Sequence, residues 1–261
     1  MLPKTASFSF ELESYLCDFN GRATLPLIGT FILQAATNHA QKRGFGFDSM
    51  SASGMAWVLS RLSIEMTEYP EHNSCIRVET WVEAVANYFT RRCFRIINSN
   101  EITLGHALSI WAAIDLNTRQ PVDIPTACPE LKDYVETDKS CPISSIARIP
   151  PLKEANPADA YIVRYSDIDI NRHMNSIKYI EHVLNLFDIE MFNQNQIRKF
   201  DINYLAEGIF GDKIELYMQP PAGTSEYLVD SRKGADSVCR SRIIWQTIDP
   251  QAIRSASSQQ Q

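Results

Sequence analysis

The 261-residue chain contains two copies of one short pattern, and this internal repeat restricts its fold more than any single segment does. Residues 18–22 read Asp-Phe-Asn-Gly-Arg and residues 169–173 read Asp-Ile-Asn-Arg-His, so an aspartate and an asparagine recur at the same spacing. Six positions after each aspartate stands a residue that favours a helix start, Thr24 in the first copy and Asn175 in the second. Apolar residues at helical spacing follow each of them. The repeat predicts two related units in tandem.

Each unit is predicted to combine one long helix with an antiparallel sheet. The first helix follows Thr24 and runs to about Arg43, where Gly44 ends it, and the second begins at Asn175 or Ser176. The expected fold class is α+β. Strand-like stretches, several with alternating apolar and polar residues, lie at 8–16, 55–66, 75–85, 88–97 and 104–116 in the first unit and at 161–165, 198–205, 213–218, 226–232 and 238–248 in the second.

The same pattern gives expected domain boundaries. Residues 1–127 form the first unit and residues 158–250 the second. Residues 128–157 between them hold five of the thirteen prolines, which is typical of a linker. Residues 251–261 are low in complexity and are expected to be a disordered tail.

Composition and charge exclude several classes of protein. The chain is 44% hydrophobic and 21% charged, and it lacks both an apolar run long enough to span a bilayer and a signal peptide, so we expect a cytoplasmic protein. The formal charge of −6 argues against nucleic-acid binding. Its six cysteines form no Cys-x-x-Cys pair and have no histidine at ligand spacing, so free thiols and no metal site are expected. Glycine-rich cofactor signatures are also absent, so no cofactor is expected.

The second copy of the repeat carries the candidate chemistry. In an extended backbone Asp169, Asn171 and His173 would project to the same side, next to the amide groups that open the following helix. Such amides favour developing negative charge, as needed for attack on a carbonyl. The alternative is structural, since aspartate and asparagine commonly cap turns before helices. The motif alone leaves these two interpretations balanced.

The first copy lacks the imidazole, because Arg22 stands at the place of His173. We therefore expect the first unit to be catalytically empty and the second to be active. The acid we select as a partner is Glu207, at the end of a predicted strand, although a solvated surface glutamate is the more frequent case for such a position.

Several longer runs resemble one family. They lie at residues 57–62, 79–82, 92–96, 107–121 and 167–180, and the last two are specific. On these runs, nearly the whole chain resembles the acyl-acyl-carrier-protein thioesterases, which have two tandem hot-dog domains. In lacking a transit peptide, the chain resembles a bacterial member of the family rather than a plastid one.

The resemblance implies release of free fatty acid from acyl-acyl-carrier protein, which ends chain elongation. It places the family's catalytic Asp, Asn, His and acidic residue on Asp169, Asn171, His173 and Glu207. Some members carry a cysteine directly after that acid, where this chain has Gly208. The expected mechanism has Glu207, alone or with His173, activating water, while amides near Asn175 and the Asn171 side chain stabilise the oxyanion. Direct attack by Glu207 is the alternative.

The first unit is expected to hold the acyl chain. Its helix carries Gly29 and Ala35 among larger apolar residues, and small residues on a core-facing helix either leave room for a ligand or allow close packing. Asn175 and Tyr179, within the 167–180 run, are the other predicted substrate-binding residues.

The expected partner is an acyl carrier protein, which is acidic. Basic residues that could dock it stand at positions 91, 92, 95, 172, 178, 198 and 199. Monomer and homodimer are both left open. Two rival functions remain. One is a hot-dog enoyl-thioester hydratase, a class whose motif resembles Asp-x-Asn-Pro-x-His, whereas this chain has Asp-x-Asn-x-His at residues 169–173. The other is a non-enzymatic acyl-thioester binding protein.

Overall fold

A computed structural model describes residues 2–146, 148–152, 156–219, 223 and 225–248. Within these ranges the first unit contains one long helix, α1, and five strands. The elements are β1 (Ala6–Glu11), α1 (Leu25–Gln41), α2 (Phe47–Ala52), β2 (Met55–Met66), β3 (Cys75–Val85), β4 (Thr90–Asn98), β5 (Thr103–Asp115) and α3 (Ile124–Ala127).

The second unit repeats the arrangement. Its elements are β6 (Pro157–Ile162), α4 (Ser176–Leu184), α5 (Ile189–Gln194), β7 (Asn195–Tyr204), β8 (Lys213–Gln219), β9 (Glu226–Lys233) and β10 (Asp236–Thr247). The α+β prediction is confirmed. The predicted strands at 8–16 and 161–165 were wrong at their ends, because β1 and β6 stop earlier and short 3₁₀ helices follow at Ser14–Leu16 and Tyr165–Asp167. The predicted tail at 251–261 lies outside the described residues.

The described strands form one antiparallel sheet in the order β1-β3-β4-β5-β2-β7-β10-β9-β8-β6. The two units join edge to edge through β2 and β7, where Ser63 lies opposite Asp201 and Ile64 opposite Phe200. The join removes one exposed edge strand from each unit.

Helices α1 and α4 pack on one face of the sheet. Ile32, Phe94, Ile180 and Phe200 are fully buried within a core cluster that spans both units. The helix starts follow from local chemistry, since Thr24 Oγ1 accepts a hydrogen bond from the Leu27 N–H at 3.2 Å and Asn175 Oδ1 accepts one from the Ile177 N–H at 2.8 Å. Among the described residues, none of the helices has the length and hydropathy needed to cross a membrane.

The segment between the units covers part of the opposite sheet face. Cys141, Ile143 and Ile146 bury themselves against Trp81 and Leu108. Further along, the Ile149 N–H donates to Asn203 Oδ1 at 2.9 Å, which carries the segment across β7. This cover explains why both faces of β3 are buried although its sequence alternates, with Glu79 held by Arg77, Arg95 and Lys139.

Candidate active site

The Asp169 segment is a tight turn rather than an extended strand. The Asp169 N–H donates to the His173 carbonyl at 2.9 Å, and the Asn171 N–H donates to Asp169 Oδ1 at 2.8 Å. Arg172 has a φ of 65°, in the left-handed region. The prediction that residues 169, 171 and 173 project together from an extended backbone was therefore wrong. Asp169 holds the turn in shape, which is the structural role of an aspartate before a helix.

The first copy of the repeat forms the same turn. Asp18 Oδ1 accepts from the N–H groups of Asn20 and Arg22, each at 2.9 Å, and Gly21 has a φ of 74°. The sequence repeat thus corresponds to a repeat of local structure. The difference lies in the side chain presented, Arg22 in the first unit and His173 in the second.

Glu207 lies beside His173, although 34 positions separate them (207 minus 173). His173 Nε2 is 3.3 Å from Glu207 Oε2, and the two side chains are 31% and 36% exposed. The Met174 N–H donates to the Gly208 carbonyl at 2.8 Å, so the turn and the loop after β7 are joined through the backbone. The structure therefore brings together an acid and an imidazole that can move a proton between them or to a bound molecule.

Tyr179 supports this loop from behind. Its side chain is buried, and its hydroxyl accepts a hydrogen bond from the Gly208 N–H at 2.8 Å. Burial raises the pKa of Tyr179, so the hydroxyl stays neutral. The Tyr179 hydroxyl thus contacts the loop backbone, and its contact with substrate stays a prediction. A Cβ on Gly208 would lie 2.9 Å from the same hydroxyl oxygen, so a side chain at this position would require the tyrosine or the loop to shift.

Arg119 is a functional candidate that the sequence analysis assigned no role. Its guanidinium forms an ion pair with Glu207 Oε2, the oxygen that also faces His173. Arg119 belongs to the first unit, in the loop after β5, where Asp115 Oδ1 accepts from the N–H groups of Asn117 at 2.9 Å and Thr118 at 2.7 Å. Its φ of 60° completes this tight loop. The hydrogen bond to Glu207 raises the pKa of Arg119. It lies within the 107–121 run, but only tertiary structure could pair it with a residue of the other unit.

The start of α4 supplies a candidate oxyanion site. The side-chain oxygen and the backbone N–H of Asn175 are both hydrogen-bonded within the protein. The oxygen accepts from the Ile177 N–H, and the N–H donates to the Asp167 carbonyl at 2.8 Å. The Ser176 N–H has no acceptor within the described part of the chain, and Ser176 lines a cavity. A free amide at the positive end of a helix favours a developing negative charge.

That cavity, of about 300 Å³, connects the two units. Its walls are largely apolar and come from the second half of α1, from α2 and from the sheet of the first unit, with the second unit's turn at one end. Arg92 is a buried exception on the wall, and burial lowers its pKa to about 9. Lining residues include Leu33, Ala36, Thr37, Ala40, Trp57, Trp111, Asp169, Asn171, Asn175 and Ser176.

Gly29 and Ala35 do not lie on the cavity wall. A Cβ at Gly29 would be 2.8 Å from Cδ1 of Ile177, so the glycine permits close contact between α1 and α4. Ala35 is fully buried in the main core cluster. Their small size therefore serves packing rather than ligand space. Ala36 and Ala40, on the neighbouring side of α1, face the cavity instead.

Two helix-on-sheet units that share one sheet, with the His173–Glu207 pair in the second unit, are the arrangement of a tandem hot-dog protein. The chain belongs to the acyl-ACP thioesterase family. The model of the acyl-ACP thioesterase N-terminal domain matches residues 3–131, and that of the C-terminal domain matches residues 152–247.

Solved structures and plant relatives agree with this assignment. The chain is 39% identical to an acyl-ACP thioesterase from Bacteroides thetaiotaomicron, with a TM-score of 0.86 over 93% of this chain and 98% of that one. The 12:0-ACP thioesterase from Umbellularia californica shares the fold, with a TM-score of 0.85 at 21% identity over 95% of this chain and 99% of that one. Oleoyl-acyl carrier protein thioesterase 2 of Arabidopsis thaliana, a chloroplastic protein, is 27% identical over 76% of this chain. The chain spans 58% of the length of that relative.

Proposed function

We propose that the chain hydrolyses the thioester of a fatty acyl chain carried by an acyl carrier protein and releases the free fatty acid. The observation that carries this proposal is the His173–Glu207 pair, 3.3 Å apart, beside the turn that ends a largely apolar cavity. Such a cavity binds an alkyl chain because each buried methylene contributes roughly 0.8 kcal/mol. Family membership and similarity to an acyl-ACP thioesterase from B. thetaiotaomicron support the same reaction.

In the proposed mechanism the acyl chain occupies the first unit's cavity and the thioester carbonyl lies at the second unit's turn. Glu207 takes a proton from water as the oxygen attacks the carbonyl carbon. The Ser176 N–H and the Asn171 side chain donate to the oxyanion. His173, next to Glu207, carries the proton to the departing thiolate. Asp169 acts as a positioning residue, because its carboxylate holds the turn.

Glu207 as a direct nucleophile is the competing mechanism, through a mixed anhydride. Turnover in ¹⁸O-labelled water tests for the anhydride, because only that route can place the label in Glu207. With an activated water the label enters the fatty acid alone. If water instead opens the anhydride at the glutamyl carbon, the label enters Glu207, and mass spectrometry of the peptide that contains it detects the change.

The decisive experiment compares variants on acyl-carrier-protein substrates. We expect His173→Ala and Glu207→Gln each to lower turnover on the order of a hundredfold or more, and the double variant to be little worse than either, because the two residues act as one unit. Glu101→Gln is a matched control, since Glu101 pairs with Arg77 far from the site. Near-normal turnover in Glu207→Gln would contradict its role as the base.

The rival functions give different results in the same assay. A hydratase would consume the double bond of an enoyl thioester without releasing free thiol. A non-enzymatic acyl-thioester binding protein would bind the substrate without turnover in any variant.

An acyl carrier protein, rather than coenzyme A, is the proposed carrier, and the protein is proposed to act in the cytoplasm as a monomer or homodimer. The predicted basic docking patch is largely neutralised within the chain. Arg91 pairs with Glu83, Arg95 with Glu79, Lys178 with Glu181 and Lys199 with Glu65, while Arg92 is buried. Arg172 and Arg198 are the two candidates that form no ion pair with a described residue. Arg172 is exposed and lies next to His173, whereas the Arg198 guanidinium donates a hydrogen bond to the Met66 carbonyl.

A further inference from the structure

A second cavity, of about 390 Å³, lies where the repeat would place an active site in the first unit. Its turn residues include Asp18, Arg22 and Thr24, and its opposite wall includes Leu184 and Asn185 at the end of α4. In the cavity already described the turn comes from the second unit and the helix from the first. Here the turn comes from the first unit and the helix from the second.

A constant offset of 151 positions relates the two cavities. It carries Asp18 to Asp169 and Thr24 to Asn175, and it carries Leu33 of the first helix to Leu184 of the second. All of these residues line one cavity or the other. The second cavity is therefore the counterpart of the active-site cavity with the two units exchanged.

The groups for hydrolysis have been replaced in this counterpart. Arg22 stands at the place of His173. The Ala23 N–H donates to the Pro70 carbonyl at 2.8 Å, as the Met174 N–H does to Gly208, so Tyr69 takes the place of Glu207. The Tyr69 hydroxyl donates to the Ile197 carbonyl at 2.9 Å. A guanidinium and a neutral phenol thus replace the acid–imidazole pair.

Arg22 keeps binding capacity that the fold does not use. Its Nη2 donates to the Phe192 carbonyl at 3.1 Å and lies 3.6 Å from Asp18 Oδ2. Its Nε and Nη1 have no acceptor among the residues that the structure describes. Glu181 also lines the cavity, but Lys178 holds its carboxylate at 2.7 Å. The other walls are largely apolar and include Phe19, Leu25, Pro26, Leu184, Phe192 and Ile197.

We propose that this second cavity binds a fatty acid anion, with the carboxylate at Arg22 and the alkyl chain along the apolar walls. A guanidinium matches a carboxylate in charge and in paired hydrogen-bond geometry. The ligand has the chemical class of the product in the proposed function, but the binding site does not depend on hydrolysis. A protein that binds the anion here and cleaves no thioester would overturn the proposed function and leave this inference standing.

The test measures binding of dodecanoate and dodecanol to the full chain by isothermal titration calorimetry. Both cavities offer apolar walls, so two dodecanoate sites are expected in the unaltered protein. Leu184→Trp fills the second cavity and should remove one site, while the matched Leu33→Trp, at the corresponding position of the active-site cavity, should remove the other. Circular dichroism checks that both variants are folded.

Arg22→Gln separates carboxylate recognition from simple filling of apolar space. Arg22→Gln keeps the hydrogen bonds that the Arg22 backbone makes in the turn. It can therefore test the proposal even if Leu184→Trp does not fold. We expect dodecanoate binding at this site to weaken on the order of tenfold and dodecanol binding to change little, because only the anion uses the guanidinium. A single dodecanoate site that Leu184→Trp leaves intact would overturn the proposal, as would equal weakening of acid and alcohol in Arg22→Gln.

Discussion

The ion pair between Arg119 and Glu207 yields the sharpest prediction, because it connects the first unit to the loop of the second unit that carries the proposed base. Replacing Arg119 by alanine removes the cation from Glu207 Oε2 and leaves His173 Nε2 as the neighbour at 3.3 Å. The carboxylate then loses one of the two contacts that orient it. We expect turnover to fall while the fold remains.

The magnitude follows from exposure and geometry. The Arg119 and Glu207 side chains are 47% and 36% exposed, so solvent screens the pair. Such pairs contribute about 0–1 kcal/mol to folding, which corresponds to a change in Tm of no more than about 4 °C for a chain of this size. Misplacement of a catalytic group by about 1 Å can cost on the order of a hundredfold in rate. Arg119→Ala should therefore lower kcat tenfold to about a hundredfold at nearly unchanged Tm.

The assay is a double-mutant cycle on kcat with an acyl-carrier-protein substrate. In the Glu207→Gln background Arg119→Ala should have little further effect, because the group that it positions is already lost. Arg119→Lys should recover part of the activity, since lysine keeps the charge but not the planar geometry. If Arg119→Ala lowers kcat by less than twofold, or costs as much in the Glu207→Gln background as alone, the positioning role is refuted.

Three other predictions test the cavity, the loop and a buried histidine. Ala36→Phe, on the cavity wall, should shift hydrolysis to shorter acyl chains by about fourfold in kcat/KM per excluded methylene. Gly29→Leu should instead lower the stability of the protein without changing its chain-length preference, because the new Cβ meets Ile177. A chain-length shift in Gly29→Leu would place the acyl chain between α1 and α4. Tyr179→Phe leaves the Gly208 N–H unpaired, which should lower the free energy of urea unfolding by about 1–3 kcal/mol and lower kcat. A variant with unchanged unfolding free energy and unchanged kcat would refute the supporting role of Tyr179. Burial, with Arg92 and Arg43 nearby, lowers the pKa of His39 to about 3 from 6.5, so the unfolded chain binds the proton more tightly and stability should fall as pH drops from 6.5 towards 3. The unfolding free energy should change by up to about 1.4 kcal/mol per pH unit in this range, and this dependence should be weaker in His39→Gln. An equal pH dependence in both proteins would contradict the role of His39.

Local features of the chain were readable from the sequence. The spacing of Asp18 and Asp169, the caps at Thr24 and Asn175 and the apolar periodicity depend on hydrogen bonds and side-chain directions within a few residues. They predicted two helix-on-sheet units and the α+β class. The same local rules also contained the interpretation of Asp169 as a turn residue, which the motif alone left balanced against the catalytic interpretation.

The resemblance to a family selected Glu207, which the residues alone would have assigned to the surface. The structure places it beside His173, but it also places Tyr179 behind the loop and Gly29 between two helices. These outcomes depend on which face of each helix meets its neighbour, and small or aromatic residues occur on both packed and ligand-facing sides.

Tertiary structure alone decided the connections between the units. Arg119 and Glu207 are 88 positions apart, and the two cavities exist because each unit's turn faces the other unit's helix. The pairing of β2 with β7 sets both arrangements at once. Periodicity and capping act over a few residues, whereas the pairing of two edge strands is selected by the shape and burial of the whole sheet, so no local pattern in the chain could specify it.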